Sequence, residues 1–566
     1  MENATKHRLL SIIGLLLILF GVALSQEEVG LTSSNLPIVV IDTQGQVIRN
    51  TSKITARMGV INNAPGVRNQ LTDSFNEYDG YIGIEYRGDS SQQFPKKQFA
   101  IETRDSLGAN NNVSLLNMPE ENDWVLSAPY SDKSLMRNVL AYKFSADLNH
   151  YAAKTQFCEV ILNGKYWGVY VFMEKIKRDK KRVNIAKLDS TDIDSMDVTG
   201  GYIIKVDKTA GENVGGWRSN FPLYYPGANG SIFYQYHYPK PRDITDEQKA
   251  YIQNLIFNFE TMMSGENYDD PAGGMWTTVN MGDAVDYALV NEICKNVDGY
   301  RLSAYLYKDR DDRDPRLHIG PVWDFNLAFS NANYHGATSP SGWQVEYFMH
   351  SENFNKGGEA YMMPFWWGKI WDSARFQNKL HQRWWDVRHE VFDIDKILSY
   401  IDETAALLDE AQERNFLRWS ILDEWVWPNV IVGGTYENEI SYLKEWLQDR
   451  VEWMDDHIEF SVTEIKTDPN AVVVQDFLLQ NNYPNPFNSQ TVIPIHLQKT
   501  ADIKVEVFDM NGRLVTTLLK DSMLAGRYPL VWNGRDEFGQ ETASGVYSVR
   551  LTADKFVETS KILLLR

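Results

Sequence analysis

The chain has 566 residues, of which 43% are hydrophobic and 13% are aromatic, so we expect two or three domains rather than a single core. With 76 acidic and 56 basic residues it carries a net charge of −20. This charge argues against nucleic acid or an anionic membrane as the main partner, because both require basic surfaces. Cys158 and Cys294 form no disulfide framework. Both fit small buried side chains, and a single bridge between them stays open.

The first 25 residues have the pattern of a secretory signal peptide. Lys6 and Arg8 precede an apolar run over residues 9–24, and Ala23-Leu24-Ser25 forms a small-x-small cleavage site. The run is a little short for a spanning helix, which needs about 20 residues, and an uncleaved anchor is the alternative. We therefore expect an exported protein with no membrane-spanning segment once the signal is cleaved.

Residues 35–174 predict a β-rich region with one helix. The helix begins near Ser134, with Ser131 or Asp132 as its N-cap. Asn163-Gly164 predicts a hairpin turn between the last two strands. Strands are predicted over 35–43, 54–61, 80–88, 96–103, 157–162 and 166–172. This order matches the small lobe of a protein kinase, although other α+β domains share it.

Residues 243–460 predict a mainly helical region. The tryptophan-rich stretches within it fit helix cores better than sugar-binding platforms. Near its start, a strand over Leu302–Tyr307, a charged tip over Asp309–Pro315 and a second strand ending in Trp323-Asp324-Phe325-Asn326 predict a hairpin. Helices are predicted where apolar residues recur at spacings of three and four, over 247–264, 283–297, 365–390, 395–414 and 437–459.

Residues 461–480 predict a linker, and residues 481–566 predict a small all-β immunoglobulin-like sandwich. Short alternating strands are separated there by Asn-Gly, Asp-x-x-Gly and Ser-Gly turns. The stretches NYPNPFN, VFDMNGR and SGVY and the short basic terminus resemble the C-terminal sorting domain of the bacterial type IX secretion system. That resemblance implies the type IX machinery as a partner and a secreted or cell-surface location. A generic immunoglobulin-like module is the alternative.

The predicted hairpin offers one carboxylate at each of its ends, Asp298 and Asp324. A Mg²⁺–ATP site needs such a pair, because one carboxylate orients the acceptor hydroxyl and the other holds the metal that bridges the phosphates. The structural alternative is that Asp298 caps a turn and that Asp324 pairs with an arginine.

Several stretches resemble the spore-coat CotH kinase family of atypical protein kinases. They are NVDGY, SAYLYKD, GPVWDFNLAF, RGDSSQQFPKKQF, YSDKSLMRN, EVILNGKYWGVYVFMEKIKRDKKRVNI and GGYIIKVDK. The resemblance covers residues 35–460 and implies an α+β, two-lobed kinase-like fold with a β-rich small lobe and a helical large lobe. It implies Asp298 as the catalytic aspartate and Asp324 as a metal ligand. Asn326 stands where many members have a second Asp, and its amide oxygen still suits Mg²⁺.

Phosphoryl transfer also needs cations on the nucleotide phosphates. Lys96 and Lys97 are expected on a strand, where they point to opposite faces, so one of them faces the nucleotide. Lys97 is favoured because it shares an apolar face, where a charge needs an anionic partner. Arg87 is a second cation candidate, and Glu174 is expected in the hinge, where backbone groups meet adenine. The sequence has no Walker A motif and no intact G-x-G-x-x-G, so the kinase interpretation rests on the family resemblance.

The sequence thus predicts ATP- and Mg²⁺-dependent phosphorylation of Ser or Thr in a protein, including the chain itself. Because ATP is scarce outside the cell, the alternative is a non-catalytic surface or adhesion protein that keeps the fold. A polysaccharide-active protein is a third class, and it rests on the aromatic residues alone.

Overall fold

The computed structural model describes residues 29–209, 214–221, 230–350, 362–458, 477–479, 482, 485–497, 499–510, 512–524, 526–553 and 556–566. The chain divides into two compact units, Met1–Thr463 and Glu464–Arg566. The predicted signal peptide lies outside the described residues, as does the predicted linker apart from 477–479. Within the described ranges, no helix is both long enough and apolar enough to cross a membrane.

The first unit begins with a closed barrel. Its region contains β1 (Ser33–Ser34), β2 (Ile38–Asp42), β3 (Ile54–Ile61), β4 (Asn69–Gln70), β5 (Tyr78–Arg87), β6 (Gln98–Arg104), β7 (Val113–Leu115), β8 (Met118–Glu121), β9 (Asp123–Ser127), β10 (Thr155–Leu162) and β11 (Lys165–Glu174). Seven strands form the barrel, in the order β10-β11-β9-β6-β5-β3-β2. The parallel pairing of β10 with β2 closes it, and the other neighbours are antiparallel.

Alternation along these strands explains how the barrel is filled. Successive side chains of a strand point to opposite faces, so every second residue faces the interior. The interior cluster includes Val39, Ile41, Ile82, Ile84, Phe99, Ile101, Trp124, Leu126, Cys158, Val160, Tyr170 and Phe172. The outward-facing Val125, Val169 and Val171 belong instead to the main hydrophobic cluster, which also holds the helices. The barrel wall is therefore buried on two faces where the helices cover it.

A second, five-stranded antiparallel sheet follows the barrel in the order β13-β14-β12-β15-β16. Its strands are β12 (Tyr202–Val206), β13 (Gly216–Arg218), β14 (Phe233–Tyr238), β15 (Ala304–Lys308) and β16 (Leu317–Ile319).

The helices are α1 (Arg137–Asp147), α2 (Asp246–Ser264), α3 (Met275–Thr278), α4 (Met281–Cys294), α5 (Gln344–His350), α6 (Phe365–Asp372), α7 (Ala374–Val387), α8 (Ile394–Arg418) and α9 (Tyr436–His457).

Short polar side chains fix where several of these helices begin. Thr245 and Gln248 form a capping box at the start of α2. Asn280 caps α4, and Asp393 caps α8. The single helix predicted over 365–390 is instead two helices, because Ser373 accepts a hydrogen bond from the Phe376 N–H and starts α7 there.

The prediction of a two-lobed kinase-like domain, with a β-rich small lobe and a helical large lobe, is wrong. The N-terminal strands close into a barrel through a pairing of Ile38–Ile41 with Glu159–Leu162, which strand order alone does not reveal. The hairpin predicted near the start of the helical region is present as β15 and β16, and β15 pairs with β12, so that the hairpin becomes part of a second sheet. One hydrophobic cluster runs from Leu36 to Ile458 and joins the barrel wall, this sheet and the helices.

The second unit is a β domain, as predicted. Its strands are β17 (Phe477–Leu479), β18 (Thr491–Leu497), β19 (Ala501–Phe508), β20 (Leu514–Met523), β21 (Gly526–Trp532), β22 (Gly545–Ala553) and β23 (Phe556–Leu564). They form a three-stranded sheet, β17-β18-β21, and a four-stranded sheet, β20-β19-β22-β23. A separate cluster that includes Ile493, Val505, Trp532 and Val549 fills this domain.

Several smaller predictions can be compared with the structure. The hairpin at Asn163-Gly164 is confirmed by the pairing of β10 with β11. Cys158 and Cys294 are both buried and both free, so the bridge left open above does not form. Trp366, Trp367 and Trp384 are buried as predicted. Trp425 and Trp427 are not core residues, since they are 56% and 45% exposed.

Candidate functional site

A cavity of about 780 Å³ collects most of the predicted site residues. Asp298, Asp324, Asn326 and Arg87 all line it. Its walls come from the end of β5 and the loop that follows, from α1, from the end of β12 and from the segments before β15 and after β16. The two carboxylates predicted at the ends of the hairpin therefore open into one space.

The neighbours of Asp324 are anchored by α1. The Asp324 N–H donates to the Tyr142 hydroxyl at 3.1 Å, and the Phe325 N–H donates to Asn138 Oδ1 at 2.6 Å. The Trp323 ring stacks on Tyr142 with centroids 6.1 Å apart. Asp324 itself has φ +65°, a left-handed conformation that costs about 1–3 kcal/mol for a residue with a side chain. Its anchored neighbours hold this conformation in place.

Asp298 lies in the turn that follows α4. Its carboxylate accepts a hydrogen bond from Arg301 Nη2 at 2.9 Å, and its N–H donates to Asn296 Oδ1 at 3.1 Å. The side chain is 19% exposed. The sequence had suggested an arginine pair at Asp324 as the alternative to a metal site. The structure shows such a pair at Asp298 instead, and the Asp298 carboxylate still lines the cavity.

The charge of Asp298 affects the pKa of Asp324. Enclosure by protein and the negative charge of Asp298 raise the pKa of Asp324 to about 6, while Arg87 and Lys208 act in the opposite direction. The Asp324 side chain is nevertheless accessible to water, because it opens into the cavity. A cation near the two carboxylates offsets the effect of Asp298 and favours the ionised form of Asp324.

Two lysines that the sequence analysis did not select line the same cavity. Lys205 Nζ lies 2.7 Å from Asp207 Oδ2. Lys208 Nζ lies 3.7 Å from Asp89 and 3.5 Å from Ser90 Oγ, residues of the loop after β5. Lys205 could have been found from the sequence, because it is the fourth residue of the otherwise apolar strand Tyr202–Val206. The stretch that contains both lysines had contributed only to the family resemblance.

Arg87 adds another cation to the lining of the cavity. Its guanidinium carbon lies 5.6 Å from the centre of the Trp323 ring, next to Asp324 in the chain. The loop after Arg87 turns at Gly88, which has φ +86°, and continues as a short 3₁₀ helix over Ser90–Gln93. Lys97 Nζ donates to the Gln92 carbonyl at 2.5 Å, so this predicted phosphate ligand braces the loop and is not among the residues that line the cavity.

Lys96 and Glu174 lie outside the cavity. Lys96 is buried and donates to the Val169 carbonyl at 2.6 Å and to Asn415 Oδ1 at 2.8 Å. Burial lowers its pKa to about 7. Glu174 is buried in an ion pair with Arg182 at 3.0 Å. These contacts hold elements together and leave neither side chain available to a ligand in the cavity.

The residues of the cavity suit a magnesium ion. In the part of the chain that the structure describes, no three or more His, Cys, Asp or Glu side chains are grouped as a metal site. Mg²⁺ commonly takes one or two carboxylates together with substrate phosphates and water. Asp298, Asp324 and the amide oxygen of Asn326 match that donor set, and the effect of the Asp298 charge on the pKa of Asp324 favours a cation near them.

The later barrel strands, the second sheet and the carboxylate pair lie within the residues that match a known family. A family model described as CotH kinase protein matches residues 84–454, and the chain therefore belongs to this family. The inner spore coat protein H of Bacillus subtilis (strain 168) is 34% identical over 98 residues, which are 17% of this chain and 24% of that protein. The match thus spans about a quarter of the curated relative's length.

Further matches cover smaller parts of the chain. A model described as FlgD Ig-like domain matches residues 483–555. Among solved structures, dimeric latent PorU from Porphyromonas gingivalis is 17% identical with a TM-score of 0.15, covering 16% of this chain and 10% of that one. PorZ, a surface component of the type-IX secretion system of the same organism, is 28% identical with a TM-score of 0.12, covering 15% and 11%. TM-scores this low define no shared fold.

Proposed function

We propose that the chain is a protein kinase that transfers the γ-phosphoryl group of ATP to a Ser or Thr hydroxyl, in another protein or in itself. The observation that carries this proposal is the cavity in which Asp298, Asp324 and Asn326 lie together with Arg87, Lys205 and Lys208. A metal-bound polyphosphate requires carboxylates that hold the metal and cations that bind the phosphate oxygens. Membership of the CotH kinase family supports the same chemistry.

The proposal gives each side chain a role. Asp298 orients the acceptor hydroxyl and takes its proton as the oxygen–phosphorus bond forms and ADP leaves. Asp324 and Asn326 would hold Mg²⁺, which would offset the negative charge of the phosphates. Arg87, Lys205 and Lys208, which line the same cavity, bind phosphate oxygens. Lys208 is well placed for this, because its contacts to Asp89 and Ser90, at 3.7 and 3.5 Å, are long and easily exchanged.

The test is transfer of labelled phosphate from ATP to the purified chain, with and without Mg²⁺. Asp298→Ala and Asp324→Ala are compared with Asp312→Ala, a carboxylate on the exposed hairpin tip. Incorporation that requires the metal, falls at least 100-fold in the first two variants and persists in the third supports the kinase. Equal incorporation in all three variants contradicts the assigned roles.

The same experiment separates the kinase from a non-catalytic surface or adhesion protein. An adhesion protein that kept the fold would incorporate no label, and Mg²⁺–ATP would leave its melting temperature unchanged. A raised melting temperature without incorporation would indicate a nucleotide site whose acceptor is another protein, because a ligand that binds the folded state stabilises it.

We also propose that the chain is exported, with residues 1–25 as a signal peptide and residues 481–566 as a type IX sorting domain. The support is the sequence pattern of the two ends of the chain. The test is fractionation of cells that carry a type IX system and express either the full chain or a chain ending at residue 463. Recovery of the full chain at the surface or in the medium, with the shorter chain retained in the periplasm, is expected. Equal export of both chains would contradict the sorting role.

A further inference from the structure

A second cavity, of about 340 Å³, lies apart from the one described above. Gly320, Pro321 and Val322 line it, whereas the next two residues of the chain line the larger cavity. Ser145 of α1 forms another part of its wall. The proposed kinase chemistry uses none of these residues.

Two acceptors face each other at this second cavity. His150 Nε2 lies 2.8 Å from Asp286 Oδ2, and Arg383 binds both oxygens of the same carboxylate at 2.7 and 3.0 Å. A neutral histidine that donates its Nε2–H to a carboxylate carries a lone pair on Nδ1. We therefore assign this tautomer to His150, which makes Nδ1 an acceptor.

The carboxylate that faces His150 Nδ1, that of Asp283, is also an acceptor. His150 Nδ1 lies 4.0 Å from Asp283 Oδ1, too far for a hydrogen bond between them. The other oxygen of Asp283 is engaged by His318 Nδ1 at 2.5 Å and by the Tyr307 hydroxyl at 3.4 Å. A lone pair and a carboxylate oxygen at this separation are both satisfied by a donor placed between them, at about 2.8 Å from each.

The charges around the cavity favour a cationic donor. Arg182 is paired with Glu174 at 3.0 Å, and Arg383 is paired with Asp286, so these guanidinium charges are already balanced. Among the described residues Asp283 has no ion pair with a lysine or arginine, because its contacts are to His318 and Tyr307, and His318 Nε2 also lies 3.3 Å from a second carboxylate, that of Asp314. Val183, Val290 and Val322 offer apolar wall for a carbon chain.

We infer that this cavity is a binding site for a small primary amine, whose ammonium group lies between Asp283 and His150. The ammonium donates one hydrogen bond to Asp283 Oδ1 and one to His150 Nδ1, and its alkyl part packs against the valines. Nothing in this inference depends on the kinase activity.

The test is calorimetric titration of the full chain, without nucleotide, with 1,5-diaminopentane and with the neutral match 1,5-pentanediol. Saturable binding of the diamine is expected, with affinity for the diol at least tenfold lower. Asp283→Asn should lower diamine affinity at least tenfold, whereas Asp312→Asn should leave it unchanged. No saturable diamine binding, or equal binding of the diol, overturns the inference.

A second variant keeps the test decisive if Asp283→Asn fails to fold, since Asp283 also binds His318 and Tyr307. Asn184 is exposed and lines the cavity, so Asn184→Trp narrows the cavity without altering the charged groups. Loss of diamine binding in this variant, with the melting temperature unchanged, supports the site. Retained binding places the amine elsewhere, for example on the acidic surface, and overturns it.

Discussion

Asp324, already predicted from the sequence as a site residue, shows how the tertiary structure changes the pKa of a side chain. Its backbone is held in the left-handed region by contacts of its neighbours with α1, and its carboxylate shares a cavity with Asp298. The resulting pKa of about 6 lies well above the usual value for an aspartate. A carboxylate ligand must be deprotonated to bind a metal, so the affinity of the proposed Mg²⁺ site should depend on pH near neutrality.

Mg²⁺-dependent ATP binding should therefore weaken as the pH falls from 7 to 5, because Asp324 becomes protonated across this range. Titration calorimetry at several pH values measures it. Asp324→Asn should bind weakly at every pH, with no step near pH 6. A wild-type affinity that is constant between pH 5 and pH 7 would contradict the role of Asp324.

The same shift has a consequence for stability. Since the folded-state pKa of about 6 lies above the unfolded value of 3.8, the folded state binds more protons between these two pH values. The free energy of unfolding should therefore fall as pH rises through this window, and Asp324→Asn should lack that fall. Denaturant unfolding at pH 4, 5, 6 and 7 measures the difference between the two proteins. A parallel pH dependence in both would contradict the raised pKa.

Two lysines of similar appearance in the sequence have different roles in the structure. Lys96→Met should cost about 2 kcal/mol of stability, because it leaves the Val169 carbonyl and Asn415 Oδ1 without their donor. Lys208→Met should leave the melting temperature nearly unchanged and weaken ATP binding about tenfold or more. Thermal melting and ATP titration of both variants check this. A loss of ATP affinity confined to Lys96→Met would reverse the assignment.

The pKa of Lys96 gives that comparison a further check. Burial lowers it from 10.5 to about 7, so between these pH values the unfolded state binds more protons than the folded state. The free energy of unfolding should rise with pH over this window, and Lys96→Met should not show this contribution.

At the scale of elements, α8 is the helix that ties the barrel to the rest of the first unit. Arg414 on α8 binds both oxygens of Glu159 on β10, at 2.9 and 2.6 Å. One turn on, Arg418 donates to the Tyr166 carbonyl of β11 at 3.1 Å. Asn415 Oδ1 accepts from the Val169 N–H at 3.1 Å as well as from Lys96. The helix end is therefore held by polar contacts over an otherwise apolar interface.

Arg414→Met should destabilise the first unit by about 3 kcal/mol, because it leaves the buried carboxylate of Glu159 without its cation. Glu413→Met, at an exposed neighbour on the same helix, is the matched control and should change stability by less than about 0.5 kcal/mol. Chemical denaturation of both variants measures this. Equal, small effects would show that water replaces the ion pair.

At the scale of the whole molecule, the chain consists of two units with separate hydrophobic clusters. The first unit contains the barrel, the second sheet and both cavities. The second unit is a small β domain whose two sheets enclose their own core. A unit that buries its own apolar surface can fold without the other.

A chain ending at residue 463 should therefore melt at the same temperature as the first unit of the full chain, within about 2 °C. Scanning calorimetry of both proteins tests this, and the full chain should show a further transition from the β domain. A shorter chain that fails to fold or melts much lower would show that the first unit depends on the second.

The sequence by itself determined the local features of this protein. Alternation of polar and apolar residues identified most barrel strands, and apolar residues spaced by three and four identified the helices. Asn163-Gly164 identified the hairpin. Each of these signals lies within a few residues of the chain. The motif around Asp298 and Asp324 was readable for the same reason. The side chains of Ser373, Thr245 and Asn280 then set helix boundaries that periodicity alone places only approximately.

Tertiary structure alone decided the fold class and the cationic side of the cavity. The barrel closes because Ile38–Ile41 pairs with Glu159–Leu162, about 120 residues away, and no local pattern encodes that partner. Lys96 and Lys208 are both lysines beside apolar residues, yet one is buried against Val169 and Asn415 and the other lines the cavity. What a lysine does depends on the groups that surround it in space, and those groups come from distant parts of the chain.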